Sequence, residues 1–330
     1  MLRAFSNAGP VARPAPHPIR RTQSAPHALD APLPLALWHM ASLDAPTVAV
    51  LWTLGFAFSA GVHLPLWALA LVGLVTWAIY VGDRLLDARS ALFAMQPSRL
   101  RHRHRFHWRH GHLLATLAVA SALGALAIVL AFVPAAARQR GGALWLATVA
   151  YLSGVHARRN PGSRPGWLPT PGKILGRVPF SGIANEILVA VIFTCGCMMA
   201  VWPRAALLPA PIWPLAMVAA FFMLLTWLNY RAIGRWEAGA PAEHITTVGL
   251  ILAVTGLALA ASLWDSHLPA ALIVASGAGS ALLLAVLNRN RSRLTPLALR
   301  ASADLVLILP LLLLASVALL IPMVASTFRQ

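Results

Sequence analysis

Long runs of apolar residues, each about twenty long, alternate along this chain with short polar links rich in arginine. Runs of that length match the hydrocarbon thickness of a bilayer when wound as helices. They predict nine membrane spans, at about 46–62, 64–82, 113–134, 142–156, 182–202, 212–232, 244–264, 268–288 and 298–325. The fourth is short. Pro310 and Pro322 fall in the last and are expected to kink it, because proline removes a backbone donor. The eighth carries Ala275, Ser276, Gly277, Gly279 and Ser280, small residues that let helices approach closely. Ahead of the spans, Pro32 to Leu43 reads as a short interfacial amphipathic helix. Residues 1–32 have no apolar core of a signal peptide and read as a disordered basic tail. The fold class is thus an all-α polytopic membrane protein, with residues 33–330 as one nine-helix domain around a cytoplasm-facing cavity.

Composition agrees. Of 330 residues, 59% are hydrophobic and 11% charged, against about 25% charged in soluble domains. The net charge of +17 does not indicate a nucleic-acid partner, because the basic residues lie in links between spans. With nine spans, 22 of the 26 Lys and Arg fall on one side. The positive-inside rule makes that side cytoplasmic, with the N-terminus inside and the C-terminus outside, as in a bacterial inner membrane. Cys195 and Cys197 stand two apart in an apolar run, so helical geometry points them in different directions and favours neither a disulfide nor a metal site.

Carboxylates are scarce. Besides Asp30 and Asp265, the chain has Asp44, Asp83, Asp87, Glu186, Glu237, Glu243 and Asp304, all near cytoplasmic span ends. Acids at that level mark either a polar cavity or simply the edge of water. Asp83 and Asp87 close the second span one helical turn apart, on one face. Such a pair suits Mg²⁺, which takes one or two carboxylates plus waters and phosphate oxygens; the alternative is an ion-pair set with Arg84 and Arg89. Residues 99–112 hold five His and five Arg, Arg101 and Arg105 among them. Arginine forks bind phosphate oxygens, although a basic link lying on lipid headgroups has the same composition. Asn229 to Glu237, with Arg231 and Arg235, closes a span four later in a similar way. Asp304 has Arg300 one turn before it, a ready ion pair.

These features resemble the UbiA-type membrane prenyltransferases, a nine-helix family. Leu43-Asp44-Ala45-Pro46 resembles its opening signature, and Gly82 to Asp87 and Asn229 to Glu237 stand where its two aspartate-rich motifs follow the second and sixth helices. Lys173 to Gly196, with Glu186, looks like its link between the fourth and fifth helices. The departures are Gly82 for Asn, a four-residue Asp spacing, no third Asp, and Tyr230 and Ile233 where the second motif has Asp.

The resemblance implies transfer of a prenyl group from an allylic diphosphate to an aromatic or lipid acceptor. Asp83 and Asp87 would hold Mg²⁺, and Glu237 would complete the catalytic acids. Arg84, Arg101, Arg105, Lys173, Arg177 and Arg231 would bind the diphosphate, and Asn229 and Glu186 would line the cavity. Glu186 paired with Lys173 or Arg177 is the structural alternative. A non-catalytic isoprenoid-binding or partner-binding protein on the same scaffold is the second reading. A transporter is disfavoured, because the acids cluster at one membrane face instead of forming a path across it.

Overall fold

The computed structural model describes residues 29–93, 102–159 and 182–327. Every regular element among them is helical; the sole β contact is an isolated bridge between Leu29 and Leu294. In chain order the helices are α1 (Leu33–Met40), α2 (Asp44–Ser59), α3 (Leu66–Phe93), α4 (His102–Arg109), α5 (Gly111–Phe132) and α6 (Ala135–Arg159). Then come α7 (Ile183–Met198), α8 (Trp202–Ala205), α9 (Trp213–Glu237), α10 (Glu243–Leu263), α11 (Leu268–Arg289) and α12 (Pro296–Thr327).

The protein is a helical membrane protein. Six helices are long and apolar enough to span: α3, α5, α9, α10, α11 and α12. The other three expected spans are also helical but differ in kind. α2 has 16 residues and meets α1 at a 90° elbow. α7 is apolar but also has 16 residues. α6 covers the short fourth run, with Arg138, Arg140, Arg158 and Arg159 near its ends. α12 continues as one helix through both prolines.

The elbow has a local cause. Ser42 takes a left-handed backbone, φ 60°, that turns the chain from α1 into α2. Asp44 then opens α2 in its first turn, where the helix dipole favours an acid. α3, with 28 residues, is about 42 Å long, beyond the roughly 30 Å of a hydrocarbon core. Asp83 lies about 25 Å and Asp87 about 31 Å along the helix from Leu66.

The core sits among α2, α9, α10, α11 and α12. Trp52 stacks on Phe222 with centroids 4.2 Å apart, and its indole N–H donates to the Leu307 carbonyl at 3.0 Å. Gly249 lets α10 lie against Ala281 and Ala285 of α11, and Gly256 and Gly277 make room for the Phe221 ring. In contrast α5 and α6 contribute no residue to this core, whereas the C-terminal turn of α7 joins it through Cys197 and Met198; a cavity opens between α5, α6 and α7 on one side and α3 and α9 on the other.

Candidate functional site

The cavity has a volume of about 1390 Å³. On α3 its lining runs from Trp67 to Asp83, about 24 Å of helix rise. Its walls are mostly aliphatic, for example Leu71, Val75, Ile79, Val129, Val189 and Ile192. Polar groups gather at its two ends. One end holds Asp83, Asn229, Tyr230, Tyr151, Arg300 and Asp304; the other holds Arg138 and Arg204.

Asp83 lines the first of these ends, while Asp87, one turn further along α3, does not line the cavity. Both are half-buried. Arg84, the next residue after Asp83, points elsewhere because successive helical residues are rotated by about 100°. It is 4% exposed and donates to the carbonyl of His39 and to Ser42 Oγ, both at 2.8 Å, and to Asp44 Oδ2 at 3.0 Å. His39 Nδ1 lies 2.6 Å from the same carboxylate oxygen, and the Ala45 N–H donates to Asp44 Oδ1 at 3.0 Å. Ser42 Oγ also bonds His107 Nε2 of α4 at 2.9 Å. Arg84 is therefore the centre of a buried knot that ties the α1–α2 elbow to α3 and α4. The Trp77 indole adds a bond to the Ala41 carbonyl at 3.0 Å.

Asp304 of α12 comes up to this knot. One ligand atom from each of His39, Asp44 and Asp304 lies within 4.8 Å of the others. That spacing alone would admit a cation. However, Arg84 and Arg300 stand within electrostatic reach of both carboxylates and already balance their two charges. A divalent ion there would add buried charge without compensation.

The expected Arg300–Asp304 pair is not what forms. Asn229 Nδ2 donates to Asp304 Oδ1 at 3.1 Å, and Arg300 NH1 faces Glu237 at 3.8 Å. Pairing one turn apart on a helix is weaker than the pull of groups on α9, which packs alongside. Asn229 Oδ1 and Arg300 Nε are both buried with no hydrogen-bond partner among the described residues. Both residues line the cavity, although these two atoms are themselves closed off from water.

Glu186 and Arg231 meet each other at 2.8 and 3.1 Å, both side chains mostly buried, joining α7 to α9. Neither lines the large cavity. Glu237 lies beyond its end and borders a second, smaller pocket of about 540 Å³ with Trp236, Glu243 and Arg291. Arg300 and Ile233 line both spaces. Arg101, Lys173 and Arg177 lie outside the described residues, as does the side chain of Arg105.

Sequence reasoning therefore missed His39 and Ser42 of the knot and the three cavity tyrosines, Tyr80, Tyr151 and Tyr230, and read Arg300 only as the ion-pair partner of Asp304. His39 could have been found as a polar residue five positions ahead of an acid within an apolar stretch. No family model, curated protein or solved structure matches this chain.

Proposed function

We propose that the protein is a UbiA-like intramembrane prenyltransferase, with nine crossings and the Asp83 end of its cavity turned to the cytoplasm. The observation that carries the reading is the cavity itself: a long aliphatic slot that ends in Asp83, Asn229, Asp304, Arg300 and two tyrosines, Tyr151 and Tyr230. That is the shape and polarity of an isoprenoid tail with a charged head. Aliphatic walls hold the tail in line and keep water from the reacting carbon.

Asp83 at the head, with Asp87 one turn beyond it and outside the cavity lining, would offer a magnesium ion hard oxygen ligands on one helix face. When bound, the ion supplies charge neutralisation for the diphosphate. Arg300, which lines the same end of the slot, would add a cationic group beside the leaving group. The tyrosines orient an acceptor by hydroxyl contacts.

The test is release of diphosphate from geranyl, farnesyl and geranylgeranyl diphosphates by the purified protein in detergent, with and without Mg²⁺. Magnesium-dependent release is expected, with Asp83→Ala and Asp87→Ala each lowering it about 10²-fold or more. Unchanged rates in both variants would remove the metal site.

A second reading, a non-catalytic isoprenoid-binding protein, rests on a specific observation. Arg84 is spent on Asp44, and Glu186 and Arg231 on each other, so three expected site residues serve as structural pairs. No diphosphate release at any chain length, together with isoprenoid lipid retained through purification, would favour it.

A further inference from the structure

The opposite end of the slot has a chemistry of its own. Arg138 and Arg204 both line it, together with Trp67 and Trp202. Arg204 sits over the Trp67 ring at 5.5 Å, and Trp67 stacks on Phe132 at 5.8 Å. Arg138 donates to the carbonyls of Val133 and Leu130, on either side of Phe132. These contacts chain the two guanidinium groups into one mouth. Arg204 in turn donates to the Ala200 carbonyl at 2.6 Å. Both cations are thus held in place by backbone at helix ends, and neither meets a carboxylate among the described residues. Asp265, an acid in the α10–α11 turn, does not line the slot.

Two oriented guanidinium groups with two indoles, at the end of an aliphatic channel, match a membrane-interface phosphate with its chain in the channel. The volume of about 1390 Å³ also exceeds the roughly 300–1,000 Å³ that one small ligand fills, leaving space for a second chain. We infer that this mouth is a binding site for a phosphate-bearing lipid, gripped by Arg138 and Arg204, with its hydrocarbon chain in the slot. The inference does not require turnover, magnesium or the Asp83 end.

Native mass spectrometry of the full-length protein tests it. The protein is reconstituted with phosphatidylglycerol, or given farnesyl phosphate, then delipidated stepwise, with dioleoylglycerol as the phosphate-free control. One retained phosphate lipid per chain is expected, with about tenfold lower retention in the double variant Arg138→Gln/Arg204→Gln and recovery in Arg138→Lys/Arg204→Lys. Retention of phosphatidylglycerol identifies a bilayer phospholipid; retention of farnesyl phosphate alone identifies an isoprenyl phosphate. Equal retention in the Gln double variant, or of dioleoylglycerol in the wild type, would overturn the assignment. A melting curve of each variant checks its fold. If the double Gln variant unfolds, Arg204→Gln alone carries the comparison, and unchanged retention in it would equally refute the site.

Discussion

Arg84 shows how one side chain can be mistaken for part of a ligand site. It follows Asp83 in sequence, yet it is enclosed by His39, Ser42 and Asp44, residues some forty positions earlier. Removing one member of such a buried pair leaves the other charge uncompensated, which costs about 3–5 kcal/mol. Asp44→Asn is therefore expected to lower thermal stability sharply, and Arg84→Met comparably. The double variant should be less destabilised than the two single losses added together, because no lone charge remains. Melting followed by tryptophan fluorescence in detergent checks this; additive losses would mean that the two side chains do not depend on each other. The acid pair Asp83–Asp87 was legible from spacing because the helix period puts both on one face. The knot was not, since the approach of Asp304 to Asp44 joins positions 260 residues apart and local pattern carries no information on such contacts.

At the scale of elements, apolar run length predicted where helices form, and each of the nine runs contains one. It could not say which would pack and which would stand off. α10 and α11 lie closest because their contacts are glycine and alanine, whereas α5 is exposed along most of its length. The small-residue run in α11 was legible; its partner was not, because Gly249 and Gly256 look ordinary within α10. A side chain at Gly256 would begin 2.6 Å from the Phe221 ring and 2.9 Å from Ala278. Gly256→Val is therefore expected to destabilise by about 1–3 kcal/mol through overpacking. Gly196→Val is the control, as nothing lies within 4 Å of a side-chain carbon there. Unfolding of both variants by denaturant in mixed micelles makes the comparison, and equal losses would show that the α10–α11 contact is not tightly packed.

For the whole molecule, the polar end of the cavity constrains the number of crossings. Asp83 near the end of α3 and Asn229 near the end of α9 border the same polar end, where Arg300 and Asp304 of α12 also lie. The chain must then cross the membrane an even number of times between Asp83 and Asn229. α5 and α9 account for two crossings, so α6 and α7 either both cross or both stay on one side. Length and hydropathy leave these two undecided, because α6 carries arginines near its ends and α7 has 16 residues. Charge distinguishes the alternatives. The link between them contains Arg164, Lys173 and Arg177, and Arg158 and Arg159 lie just before it. Placing that link outside would leave five cations on the side that otherwise holds four, against the positive-inside rule. Both helices are therefore expected to cross, giving nine spans with the link inside. Alkaline phosphatase joined after Gly182 should be inactive, and joined after Pro134 or at the C-terminus it should be active. Activity after Gly182 would reduce the count to seven. It would also move the expected diphosphate ligands Lys173 and Arg177 to the face opposite Asp83, and so remove them from the proposed site.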